Sequence, residues 1–236
     1  MFNDCFLPAP TNLNLSVGDV HIWRIDLKQP EAQLAAFRAT LSSDEIVRAD
    51  RFYFPEHRQR FVAGRGSLRA ILGRYLGVEA AQVEFEYQQR GKPLLGGRFA
   101  DSGLYFNLSH SQDLGLLGVS RRAIGVDLEY MRQMSDLEAL AERFFLEREV
   151  EVVRSLSSVQ QQEVFFRYWT CKEAYLKATG EGIVKLEHTE ISLTSTTPAK
   201  LLVSGDWSLL ELVPGENFRG AVVFAGSDYQ IQYWQF

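Results

Sequence analysis

Only two cysteines occur in the 236 residues, Cys5 and Cys171, far apart in the chain. Two isolated cysteines exclude a disulfide framework, and no Cys/His cluster has zinc-ligand spacing. A cytosolic location is the expectation that follows. No apolar run approaches the ~20 residues of a membrane span. The opening "MFNDCFLPAP" lacks a basic start and a long apolar core, so it does not read as a signal peptide. The formal net charge is −5, which disfavours nucleic acid as a partner of the whole surface. Low-complexity tracts and short-period repeats are missing. So is a regular βαβ alternation, which argues against a doubly wound parallel sheet.

What is present is ample apolar material: 46% hydrophobic and 12% aromatic residues, enough for a substantial core. "DVHIWRIDL" reads as a strand. "EAQLAAFRATL", "SSDEIVRADRF" and "PEHRQRFVAGRGSLRAILGRYLG" read as helices, with Ser42 or Ser43 capping the second and Gly77 stopping the third. "QVEFEY" is a strand, "RGKPLLGG" a loop, and "LYFNLSHS" a strand that ends as a loop. "LGLLGVSRRAIGVDLEY" gives two strands about a turn near Ser120–Arg122. Helices return in "DLEALAERFF", "EREVEVVRSL" and "SVQQQEVFFRYWTCKEAYLKATG", and strands follow from about Glu190. The expected class is α+β, a pseudo-twofold duplication of two similar halves, 1–120 and 121–236. Each half carries antiparallel strands packed against helices.

Chemistry concentrates in three places. In "IGVDLEY", Asp127 and Glu129 stand at i and i+2, on one face of a strand. Adjacent carboxylates need a cation, a raised pKa or solvent. Oxygen ligands suit magnesium, but a wet acidic strand edge has the same pattern. In "WTCKEAYLKATGEG", Trp169, Glu173 and Lys177 follow i, i+4, i+8 and share a helix face. Glu173 can add a third carboxylate and Lys177 can hold a phosphate. An ordinary helix ion pair explains the same spacing. Lys172 falls on another face and reads as solvated. Trp169 and Cys171 read as core.

In "FNLSHS", Asn107, Ser109, His110 and Ser111 offer donors for an oxyanion, or simply make a turn. No G-x-S-x-G elbow supports a hydrolase nucleophile. Arg48, Arg51, Arg58, Arg60, Arg65, Arg69 and Arg74 form a basic cluster in an acidic protein, which can steer a polyphosphate or lie solvated.

Together and in this order, "GKPLL", "FNLSHS", "IGVDLE" and "FFRYWTCKEAYLKATGEGI" resemble the 4′-phosphopantetheinyl transferases of the larger, two-half type, those similar to the surfactin-synthetase activator. "RADRF" and "RQRFVAGRGSLRAIL" extend the resemblance over about Arg48 to Ile183. The resemblance implies transfer of the 4′-phosphopantetheine arm of coenzyme A to a serine of an apo carrier protein, with 3′,5′-adenosine bisphosphate released. It implies magnesium on Asp127, Glu129 and Glu173, with Glu129 the variable ligand among relatives. Glu173 is then the base and Lys177 neutralises the pyrophosphate. Arg48 meets the 3′-phosphate, Arg90, Gly91 and Lys92 line the adenine end, and Asn107, Ser109 and His110 serve the phosphates. A position that is basic in some relatives is Glu45 here.

The same resemblance places the site in a cleft between the halves of a monomer. It implies carriers of fatty-acid, polyketide or non-ribosomal-peptide synthesis as partners. The basic and apolar residues Arg143–Phe145 are the expected place to receive an acidic carrier helix. Charge and hydropathy point to no nucleic acid and no membrane. Two alternatives stand beside it. One is a magnesium-dependent enzyme acting on another nucleotide. The other is a non-catalytic module that binds coenzyme A or a carrier, against which the three acids and Lys177 argue.

Overall fold

A computed structural model describes residues 6–88 and 91–236. The chain forms two compact units. One comprises Phe6–Arg121 with Ile231–Phe236, the other Arg122–Gln230. The last strand therefore belongs with the N-terminal unit, where a boundary at 120/121 would leave it with the second half.

The N-terminal unit opens with β1 (Leu7–Pro8) and β2 (Asp19–Asp26). Three helices follow: α1 (Glu31–Arg38), α2 (Ser43–Asp50) and α3 (Pro55–Leu76). Glu45 reaches back to accept the Ser42 N–H at 3.1 Å, tying off the start of α2. Pro55 starts α3, and Gly77 ends it in the left-handed conformation at φ 68°. Next come β3 (Phe85–Tyr87), β4 (Pro93–Leu95), β5 (Tyr105–Ser111) and β6 (Leu114–Ser120).

Two expectations change here. "RGKPLLGG" is not all loop, because Pro93–Leu95 pairs with β3, Phe85 opposite Leu95. Pro93, with no N–H to donate, is tolerated as the first residue of this short strand. "FNLSHS" stays a strand to its end, because β6 continues the ladder to Ser111 opposite Leu114. Gln112, at φ 51°, turns the chain between them.

The C-terminal unit holds β7 (Ile124–Tyr130), α4 (Leu137–Phe144), α5 (Glu147–Arg154), α6 (Ser158–Thr179), β8 (Ile191–Ser192), β9 (Lys200–Leu201), β10 (Trp207–Leu212) and β11 (Phe218–Ala225). The final strand, β12 (Gln230–Gln235), joins the N-terminal sheet, whose order is β1-β12-β2-β6-β5. The other main sheet is β10-β11-β7. The strands either side of Ser120–Arg122 thus belong to different sheets and do not pair.

Both units run in the same order. A strand leads into three helices, the third of 22 residues in each. A two-stranded antiparallel pair follows, β3-β4 or β8-β9, and then a hairpin. The second hairpin strand pairs antiparallel with the leading strand: β6 with β2, β11 with β7. In the first unit Trp23 and Ile25 pack with Leu68, Ile71 and Leu72 of α3 and with Leu117 and Val119 of β6. In the second, Val164, Phe165, Tyr168, Ala174 and Ala178 of α6 pack with Ala221 and Val223 of β11, and with residues of α4 and α5. α6 is covered on several sides, so its apolar residues are not confined to one stripe.

Candidate functional site

In the C-terminal unit, the strand period puts Gly125, Asp127 and Glu129 on one face of β7. α6 lies against that strand. Asp127 is only 3% exposed. A buried carboxylate needs a partner, and Lys177 Nζ donates to its Oδ1 at 2.5 Å. One turn earlier on α6, Glu173 is half-buried, and its Oε1 has no hydrogen-bond partner among the described residues. Burial raises the Glu173 pKa, the nearby Asp127 carboxylate raises it further, and Lys177 pulls it back. Asp127, Glu173 and Lys177 are therefore electrostatically coupled.

Glu129 is partly buried, and its cross-strand partner is Arg219. Arg219 also donates to Glu163 of α6 at 2.7 Å. Among the described residues, no three His, Cys, Asp or Glu side chains converge closely enough to hold a metal ion. Asp127, Glu129 and Glu173 are thus not a ready-made cage. The donors still fit a hard divalent cation in kind: all are oxygens, and Glu173 Oε1 is a buried acceptor with no donor on it among the described residues. Magnesium characteristically takes few protein carboxylates and completes its shell with water and phosphate, so a full cage is not required.

The rest of the opening motif is structural. Lys172 is 0% exposed, not solvated. Its ammonium meets Glu149 Oε2 at 2.7 Å and donates to the carbonyls of Leu186 at 3.1 Å and Thr189 at 2.5 Å. Glu149, 1% exposed, also accepts the N–H groups of Leu146 and Ile191. These partners come from α5 and from the segment between α6 and β8, so a surface reading of the motif misses the ion pair. Trp169 shares the Glu173–Lys177 row, but its ring packs edge-on to Phe144 and parallel to Phe165. Cys171 is a buried free thiol whose pKa burial pushes well up, so it is inert filler. Arg143 is exposed, with its guanidinium over the Phe144 ring. Phe145 is buried in the core and cannot receive a partner as expected.

In the N-terminal unit, Arg48 is exposed in the last turn of α2, 5.3 Å from the Phe61 ring. Glu45 is buried against Arg69 at 2.7 Å, and Arg69 donates on to the Val83 carbonyl at 2.6 Å. This acid therefore ties α2 to α3, and no basic side chain stands at that position. The arginine cluster is not one solvated face. Arg65 and Arg69 are buried, Arg60 pairs with Asp113, and Arg48, Arg51 and Arg58 are exposed.

Asn107 and Ser109 are buried on one face of β5, whereas His110 is exposed on the other. A strand in place of the expected loop sets the hydroxyl and the imidazole to opposite sides. Gly91 adopts φ 78° in the β3–β4 turn, where its N–H donates to the Gln88 carbonyl and the Gln88 N–H donates to the Lys92 carbonyl. Arg90 lies outside the described residues.

Two family models match the chain in succession. Residues 28–121 match "4'-phosphopantetheinyl transferase, N-terminal", and residues 123–231 match "4'-phosphopantetheinyl transferase superfamily". The chain is 62% identical over 237 residues to "4'-phosphopantetheinyl transferase HetI" of Nostoc sp. strain PCC 7120, covering 100% of both chains. It is 40% identical over 163 residues to "Putative 4'-phosphopantetheinyl transferase slr0495" of Synechocystis sp., covering 69% of this chain and 65% of the other. It is 28% identical over 147 residues to "4'-phosphopantetheinyl transferase Sfp" of Bacillus subtilis, covering 62% and 63%.

Proposed function

This chain belongs to the 4′-phosphopantetheinyl transferases, as an enzyme of the larger type, and we propose that it moves the phosphopantetheine arm of coenzyme A onto a serine of an apo carrier protein. The observation that carries the mechanism is the buried Asp127 held by Lys177 at 2.5 Å beside a Glu173 of raised pKa. Phosphoryl transfer asks mainly for positioning and charge neutralisation.

In this reading the carrier serine oxygen attacks the phosphorus next to the pantetheine arm. The bond from that phosphorus to the bridging pyrophosphate oxygen breaks, and 3′,5′-adenosine bisphosphate leaves with the electron pair. Glu173 takes the serine proton, and its raised pKa brings it closer to the working range of a general base. Lys177 neutralises charge that grows on the leaving phosphate, exchanging part of its hold on Asp127 for a hold on substrate. Asp127, Glu129 and Glu173 would hold magnesium, which when bound supplies further neutralisation of the pyrophosphate. Arg48, Gly91, Lys92, Asn107, Ser109 and His110 would recognise coenzyme A, with Arg90 among them by resemblance.

The acidic carriers of fatty-acid, polyketide or peptide synthesis would be the partners. Exposed Arg143, in the last turn of α4, would offer them a basic contact. The enzyme is read as a cytosolic monomer. The shared order of strand, three helices, small pair and hairpin supports reading the two units as copies of one α+β topology, the basis for a pseudo-twofold duplication.

The test is chromatographic. Wild-type protein with magnesium, coenzyme A and a panel of apo carriers should release 3′,5′-adenosine bisphosphate only when a carrier is present. No release with any carrier would favour a binding module. Release without carrier would favour a hydrolase.

A further inference from the structure

Asp127 and Lys177 meet because β7 and α6 approach more closely than side chains ordinarily allow. Gly125 stands two residues before Asp127, on the same strand face. A Cβ at position 125 would lie 2.2 Å from the Ala174 carbonyl oxygen, 2.3 Å from the Ala178 nitrogen and 2.8 Å from the Lys177 carbonyl carbon. All three are backbone atoms of one helical turn, so no rotamer change relieves the clash. Gly125 is the second residue of β7 and not one of the positive-φ glycines, so the chain needs its missing side chain and not an unusual backbone angle. The helix residues flanking the contact, Ala174 and Ala178, are small and buried. Across the ladder, Val223 faces Gly125 and Ala221 faces Asp127, and both pack in the same core.

We infer that Gly125 is a positioning residue, which by letting the α6 backbone rest on β7 sets the separation at which Asp127, Glu173 and Lys177 act as one site, a role that rests on the transfer reaction proposed above. A methyl group there forces strand and helix apart by roughly 1 Å before ordinary contact is restored. The Lys177–Asp127 contact at 2.5 Å would then open, although both side chains remain. A displacement of about 1 Å at a reacting centre can cost on the order of a hundredfold in rate.

The test is a double-mutant cycle in two backgrounds. Asp127→Asn, Lys177→Met and the pair are made with Gly125 and with Gly125→Ala, and unfolding by urea is measured. With Gly125 the pair should be coupled, shifting the unfolding equilibrium several-fold beyond the product of the singles. With Gly125→Ala that factor should fall to about one. A merely destabilised fold would leave it intact. In parallel, Gly125→Ala should lose about a hundredfold in turnover while its coenzyme A dissociation constant stays within about threefold.

Unchanged coupling in a folded Gly125→Ala protein would overturn the inference. If that variant does not fold, Ala174→Val thickens the same contact from the helix side, and the same two outcomes decide. If wild-type protein transfers nothing to any carrier, the enzymatic reading fails, and the coupling factor alone decides whether Gly125 sets the geometry.

Discussion

Replacing Lys172 by Met should be among the most damaging single changes in the C-terminal unit. The side chain is 0% exposed and its ammonium has three partners: Glu149, the Leu186 carbonyl and the Thr189 carbonyl. Methionine fills similar volume but leaves the Glu149 carboxylate, itself 1% exposed, without its cation. Breaking a buried pair from one side costs about 3–5 kcal/mol, because the remaining charge stays buried. The two orphaned carbonyls fall within that range or add about 1 kcal/mol each. For a chain of this size each kcal/mol moves Tm by about 2–4 °C, so a drop on the order of 10 °C is expected.

Glu149→Gln in the Lys172→Met background removes the stranded charge and keeps an acceptor for the Leu146 or Ile191 N–H. The double variant should therefore be less damaged than the sum of the singles by about 2 kcal/mol. Urea midpoints and thermal melts measure this. A Lys172→Met protein within about 1 kcal/mol of wild type would refute the reasoning, because the ion pair would then hold nothing together.

Glu173→Gln should raise stability at pH 7–8. The folded-state pKa is raised, so the carboxylate costs stability once pH climbs past the ordinary glutamate value, and that cost is absent in acid, where both states are protonated. A Tm gain at neutral pH that vanishes near pH 4 checks the sign. The same variant should keep coenzyme A affinity and lose turnover; equal loss of both would make Glu173 a structural ligand. His21 is buried against Tyr75, and burial lowers its pKa to about 4. The unfolded chain then binds the extra proton, so stability should fall as pH drops from about 6.5 to about 4, and this part of the acid loss should disappear in His21→Gln melts. Arg167 forks onto Glu211 at 2.6 and 2.9 Å and donates to the Thr194 and Thr197 carbonyls. Lysine cannot reproduce that fork, so Arg167→Lys should cost about 1–3 kcal/mol in urea melts.

The face-sharing of the candidate site residues was legible because two local periods fix it. A strand puts Asp127 and Glu129 on one face, and a helix puts Glu173 and Lys177 on one face, whatever the tertiary setting. Helix ends were legible for the same local reason, as Gly77 and Gly180 both cap in the left-handed conformation. The missed features depend on distant partners. Lys172 looked solvated because its counter-charge, Glu149, comes from another helix. The end of β5 looked like a loop because Asn, Ser and His favour turns, yet β6 supplies the ladder. β12 returns to pair in the N-terminal sheet beside β1, which no local pattern announces. Gly125 was visible as a residue, but its close approach to α6 exists only in three dimensions.

The most direct measurement is the intact mass of an apo carrier after incubation with this protein, magnesium and coenzyme A. The account predicts a gain of one phosphopantetheine on the carrier serine, lost when that serine is alanine and strongly slowed with Glu173→Gln. An unmodified carrier with wild-type protein across the panel, or an undiminished rate with Glu173→Gln, would contradict it.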